Sequence, residues 1–215
     1  MKMLLIVVQV GNLLEKHAHE DIDSAAAIGL AGFAVNIGDP EQDFVQRTLD
    51  FMFDYARDNH PSFKIFISMD VWATKVSGNS LTIYNSILAR YKGHSAYYQG
   101  PDGKSFVSTF SDGGFHNDQW SDYWANNFAN EVYFVPNFDN ATGYWDADPG
   151  WWEYWGDVVQ GCFSWDSVWP QRGSTGGGSI DRDQVVIEGT AAHDKTYMIG
   201  EFSSGTKIHA KYSVY

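Results

Sequence analysis

Seven short apolar runs separated by amphipathic stretches constrain this chain more than any other feature. The runs cover 4–10, 32–37, 63–69, 105–110, 131–136, 161–165 and 196–199. Most are apolar almost throughout, the pattern of strands covered on both faces. The stretches between them carry helix signals. Asp39-Pro40-Glu41 supplies a cap, a proline for the first helical position and an acid for the first turn. Val45, Leu49, Met52, Phe53 and Ala56 then fall on one helical face. Ile83, Ile87 and Leu88 repeat the spacing after Ser80, and Trp120, Tyr123, Trp124 and Phe128 repeat it after Asp118. Asp148-Pro149 starts another helix bearing Trp151, Trp152 and Trp155, while Gly29 suits the end of the first helix.

Alternating β and α units with short links indicate a parallel sheet. The expectation is an α/β fold of the (β/α)8 TIM-barrel type, incomplete. About seven βα units are visible in a single domain spanning 1–215, with the eighth strand missing. An open doubly wound sheet is the alternative, although no Gly-x-Gly-x-x-Gly follows an early strand. Gly176-Gly177-Gly178 has no lysine behind it, so it reads as a surface loop and not a phosphate loop.

Net charge is −13. A surface that acidic repels nucleic acid and anionic lipid, so neither is an expected partner; a neutral polymer is indifferent to it. Lone Cys162 allows no intrachain disulfide and reads as core. Met1-Lys2 followed by Leu4-Leu5-Ile6-Val7-Val8 imitates a signal peptide, but no small-x-small cleavage site follows, so a first strand is expected. No run approaches the roughly 20 apolar residues that span a bilayer. Asn140-Ala141-Thr142 is a glycosylation sequon.

Where the strand-type runs stop, acids, amides and indoles begin. Asp70 closes the third run, with Trp72 two residues on. Val35-Asn36, Phe110-Ser111-Asp112, Pro136-Asn137-Phe138-Asp139 and Trp165-Asp166 are the other cases. Barrel enzymes gather their chemistry at the C-terminal ends of parallel strands. Hydrolysis of a glycosidic bond takes two carboxyl groups, one to protonate the leaving oxygen and one to attack or to activate water. Asp70, flush with its strand, is the candidate for function. Helix capping or solvation accounts better for Asp112 and Asp139, and Asp166 fits either role. Indoles offer flat apolar surface to the C–H faces of sugars. Trp72, Trp165 and Trp169 follow strands and are candidates for that contact. Trp120, Trp124, Trp151, Trp152 and Trp155 sit at helical spacing and read as packing.

His17-Ala18-His19 raises a metal-dependent barrel hydrolase as another possibility. That chemistry needs further histidines at later strand ends, where this chain has Asn137 and Asp166. No metal site and no cofactor are expected.

Taken in order, these segments resemble glycoside hydrolase family 71, the fungal α-1,3-glucanases or mutanases. The resemblance is carried by Val10-Gly11-Asn12, by Gly32-Phe33-Ala34-Val35-Asn36-Ile37-Gly38 and by Phe66-Ile67-Ser68-Met69-Asp70. It continues through Val107-Ser108-Thr109-Phe110, Tyr133-Phe134-Val135-Pro136, Gly161-Cys162-Phe163-Ser164-Trp165-Asp166 with Trp169-Pro170, and Tyr197-Met198-Ile199. It implies a secreted, monomeric barrel enzyme that cuts α-1,3-glucan internally with inversion. Asp70 would be an active-site acid, and Asn12, Asn36, Trp72, Trp165, Asp166 and Trp169 would contact the polysaccharide. The family's other acids lie in a Trp-Asn-Asp-x-x-Glu segment on strand eight that this sequence does not contain. The family's strand-one histidine is replaced by Val7, and Gly200-Glu201 stands where the family has Ser-Pro. These departures put the chain's own activity in question and leave open a non-catalytic α-glucan-binding protein.

Overall fold

The computed structural model describes residues 5–9, 12–146, 149–165 and 180–199. Asp148, Asp166, Trp169 and the Gly176–178 run lie outside the described residues.

Among the described residues seven parallel strands form, where the apolar runs predict them: β1 (Leu5–Gln9), β2 (Gly32–Ile37), β3 (Lys64–Asp70), β4 (Ser105–Phe110), β5 (Val132–Phe134), β6 (Gly161–Ser164) and β7 (Thr196–Ile199). β1 to β5 hydrogen-bond in chain order, and β6 pairs with β7. Two backbone bonds join the groups: Gln160 N–H donates to the Phe134 carbonyl at 2.8 Å, and Phe163 N–H to that of Pro136 at 2.9 Å. The strands therefore follow one another without the order reversal of a doubly wound sheet. Among the described residues no bond pairs β7 with β1.

Helices α1 (Glu15–Ala27), α2 (Asp43–Asn59), α3 (Val71–Val76), α4 (Asn85–Tyr91), α5 (Asn117–Phe128), α6 (Pro149–Trp155) and α7 (Asp181–Ala192) fill the connections. The predicted apolar faces are the buried ones: Val45, Leu49, Met52, Phe53 and Ala56 on α2, and Trp120, Tyr123, Trp124 and Phe128 on α5. Phe134 on the outer face of β5 packs against Trp120 and Trp124, each with ring centroids 4.9 Å away. Gly29 ends the first helical unit at φ +85°, a conformation open to glycine without Cβ strain.

Several strand ends shift by a residue or two from the apolar runs, β5 most, which keeps only Val132–Phe134 of 131–136, and two helical features also differ from expectation. α2 starts at Asp43, because residues 40–42 form a turn first; Asp39 secures that turn by accepting from Glu41 N–H at 3.0 Å and the Gln42 amide at 2.6 Å. A short helix that no periodicity announces, α3, begins directly at the end of β3. Trp72 therefore stands in the first turn of a helix.

Candidate active site

Alternation along β3 puts Phe66, Ser68 and Asp70 on one face, and the neighbouring strands continue three levels from them. The lowest is aromatic: Phe66 lies 4.7 Å from Phe106, which lies 5.7 Å from Tyr133. The middle level is polar and buried. Asn36 is in register with Ser68 and Ser68 with Ser108. The Ser68 hydroxyl donates to Asn36 Oδ1 at 3.1 Å, and that of Ser108 to the Val135 carbonyl at 2.7 Å. Gln9 of β1 is in register with Asn36. The upper level holds Asp70, in register with Phe110, whose ring meets Trp165 edge-on at 4.8 Å.

Asp70 is half-buried and fully engaged. Its Oδ1 accepts from Ala73 N–H at 3.0 Å, capping α3, and its Oδ2 accepts from the Asn36 amide at 3.2 Å. Burial pushes this carboxyl above the ordinary carboxylate range; the two hydrogen bonds pull the other way and do not cancel it. The capping and functional readings of Asp70 are thus compatible. Its backbone is gripped as well. The buried Tyr84 phenol, in the 3-10 turn Leu81–Tyr84, donates to the Ile37 carbonyl at 2.7 Å and sits 3.1 Å from that of Asp70. Thr74 Oγ1 lies 2.7 Å from the same phenol and donates to the Asp70 carbonyl at 3.1 Å.

The exits of β4, β5 and β6 are tied by buried Asn137. Its N–H reaches the Thr109 carbonyl at 3.3 Å, its amide donates to the Phe163 carbonyl at 3.0 Å, and its Oδ1 accepts from Ser111 N–H at 3.4 Å. Ser111 is held at φ +68°, where a non-glycine residue is uncommon. In the same loop Gly113 sits at φ +64°, and a Cβ there would lie 2.4 Å from Val71.

Two other strand-end acids, Asp112 and Asp139, accept from main-chain N–H groups, and neither caps a helix in doing so. Asp112 accepts from Gly114 N–H at 2.8 Å, and Asp139 accepts from Trp165 N–H at 3.1 Å. Trp72 is 57% exposed. Trp165 is half-buried beside Phe110 and Phe163. Trp120, Trp124, Trp151 and Trp155 are core, and Trp152 is partly buried against it. Asn12 is exposed and accepts from Arg47 of α2 at 2.7 Å; no hydrogen bond links it to Asp70 among the described residues. His17 and His19 ride on α1, with His19 stacked on Tyr55 at 3.8 Å. Among the described residues no group of three or more His, Cys, Asp or Glu could hold a metal ion. No described helix is long and apolar enough to cross a membrane. Asn140 of the sequon is exposed just after β5.

Ser68, Thr74 and Tyr84 escape a reading of the sequence as a site. Ser68 leaves a faint signal: a hydroxyl inside an apolar run, two residues before the acid and so on its face. Tyr84 leaves none, since its partners are 14 and 47 residues away.

Residues 3–213 match the model of glycosyl hydrolase family 71. The chain belongs to this family. Over 94 residues the family 71 chain is 36% identical to glucan endo-1,3-alpha-glucosidase agn1 of Schizosaccharomyces pombe (strain 972 / ATCC 24843), a match covering 43% of this chain and 20% of that protein. Its fold is similar to two structures of the GH99 endo-alpha-mannosidase from Bacteroides thetaiotaomicron. The complex with bis-tris propane superposes with TM-score 0.61 at 13% identity, covering 86% of this chain and 56% of that one. The other superposes with TM-score 0.62 at 12% identity, covering 88% and 54%. The family 71 chain thus spans about half the length of these solved structures and matches one fifth of the yeast protein. The structural likeness at such identities is one of fold alone.

Proposed function

We propose that this chain is the catalytic-type unit of an extracellular enzyme that hydrolyses α-1,3-glucan internally, with Asp70 as one of its two carboxyl groups. Family membership and the yeast relative support the substrate class. The observation that carries the site is Asp70 itself: a half-buried acid at the end of β3, held on both oxygens, level with Phe110 and close to an exposed indole. Seven parallel strands in chain order support a barrel of the (β/α)8 type, whose strand ends would converge on this level.

The chemistry follows from the environment. Protonating the leaving oxygen of a glycosidic bond takes a carboxylic acid that keeps its proton at working pH. Burial raises Asp70 in that direction. The second carboxylate of an inverting pair stands roughly 6.5–9.5 Å from the first, leaving room for water. Trp72 and Trp165 would flank the sugar with flat apolar surface.

One observation favours a second reading, glucan binding without hydrolysis. Asp112 and Asp139, the other described acids of the strand-end segments, are both committed to main-chain N–H groups. Incubation with insoluble α-1,3-glucan, followed by sedimentation and a reducing-sugar assay, decides between the two. Sugar release lost in Asp70→Asn supports the enzyme. Sedimentation without release supports the binder, and neither sedimentation nor release removes both.

A further inference from the structure

We infer that Asn36, oriented by Ser68, is a positioning residue for Asp70, setting the direction of its carboxyl and its hold on a proton, and is not a ligand for the sugar. The inference rests on Asp70 being an acid of the proposed site. Asn36 and Ser68 are in register on adjacent strands, and both are buried. The Ser68 hydroxyl occupies Asn36 Oδ1 at 3.1 Å. The amide is thereby turned so that Nδ2 is the edge presented to Asp70 Oδ2, 3.2 Å away. Oδ1 of Asp70 is taken by Ala73 N–H at 3.0 Å, a main-chain donor at the start of α3 that cannot rotate. The two oxygens are therefore unequal. A proton on Oδ1 would face a fixed N–H, whereas a proton on Oδ2 faces a side-chain amide whose rotation can accommodate it. Oδ2, on the Asn36 side, is the oxygen that carries the exchangeable proton. The Asn36 donor supports the anion there and opposes burial, so its loss makes the carboxyl hold its proton to higher pH.

Among the described residues the ionisable groups around this carboxyl are few. From the 3-10 turn comes Tyr84, kept neutral by burial, and beyond β2 lies Asp39; both Asp70 and Asp39 bear on the Tyr84 phenol. Lys75 of α3 is committed elsewhere, 4.8 Å above the Phe115 ring. β4 presents Phe110. None of these is altered by changes at Asn36 or Ser68.

The test is a carbon-detected NMR titration of the Asp70 carboxyl in the wild-type chain, in Asn36→Ala and in Ser68→Ala, with Asp70→Asn to assign the resonance. Binding of a soluble α-1,3-linked gluco-oligosaccharide is measured on the same samples. The Asp70 midpoint is expected to rise by roughly half a unit to one unit in Asn36→Ala. A smaller rise is expected in Ser68→Ala, which frees the amide to turn, and oligosaccharide affinity should stay within about twofold. An unmoved midpoint in both variants overturns the inference. So does an affinity loss of roughly tenfold or more in Asn36→Ala with the midpoint unmoved, which makes Asn36 a sugar ligand. Should Asn36→Ala fail to fold, Ser68→Ala alone decides. An oligosaccharide that binds no variant, wild type included, removes the glucan reading and leaves the titration result standing.

Discussion

The phenol of Tyr84 lies 3.1 Å from the carbonyl oxygen of Asp70 while donating at 2.7 Å to that of Ile37. A single buried hydroxyl thus bridges the ends of β2 and β3 where the candidate acid stands. Tyr84→Phe keeps the ring and removes the bridge, taking the phenol's donor from the Ile37 carbonyl, while Thr74 still donates to the Asp70 carbonyl. The expected cost is about 1–3 kcal/mol in urea-unfolding free energy. A change below about 0.5 kcal/mol would show that the bridge is incidental.

Substitutions at Asp70 separate its two duties. Asp70→Asn keeps a side-chain oxygen able to accept from Ala73 N–H, so the helix cap should survive while glucan hydrolysis falls by about 100-fold or more. Asp70→Ala removes the cap as well and should cost a further ~1 kcal/mol of unfolding free energy. Paired chemical denaturation and reducing-sugar assays read both effects.

The raised proton affinity of Asp70 has a consequence for stability. Folded Asp70 takes up its proton at higher pH than the unfolded chain does. Its contribution is therefore fully present below the ordinary carboxylate range and is lost as pH climbs through the folded value. Asp70→Asn cannot ionise, so its stability relative to wild type should grow as pH rises from about 4 and then level off. Asp23, lowered by the hydrogen bond from His60, has the opposite sign: its contribution fades as pH falls below that range, outside the Asp70 window. Urea midpoints of the two chains measured across pH 3–8 check the slope; a difference that shrinks with rising pH contradicts it.

Tryptophans of like chemistry should behave in opposite ways. Trp72 is 57% exposed, whereas Trp120 is fully buried against Phe134 and Phe138. Trp72→Ala should leave stability within about 0.5 kcal/mol and weaken oligosaccharide affinity roughly 2- to 10-fold. Trp120→Ala should cost about 3–5 kcal/mol in unfolding free energy. Calorimetric binding beside thermal melts distinguishes them, and an unchanged affinity in Trp72→Ala would remove that indole from the glucan surface.

Much of this site is legible in the residues, for identifiable reasons. Strands buried on both faces must be apolar along their length, so the seven runs stand out. An acid or amide that interrupts such a run at its end is conspicuous, which is why Asp70, Asn36 and Asn137 can be picked out. Helical spacing separates Trp120 and Trp124 from Trp72 and Trp165, because a core-facing indole must recur with the helix period. Asn12 is equally conspicuous, and the fold sets its Oδ1 against Arg47, a partner 35 residues away that no local pattern shows.

What local pattern alone determined is the order and type of the strands, the buried helical faces and the acid at the end of β3. All of these follow from how often apolar residues recur and where the recurrence stops. The partners of that acid were decided only when the strands came together. Ser68 meets Asn36 across 32 positions, Asn36 meets Asp70 across 34, and Tyr84 reaches Ile37 across 47. Hydrogen bonds between side chains on neighbouring strands depend on register, and register is set by the packed sheet as a whole.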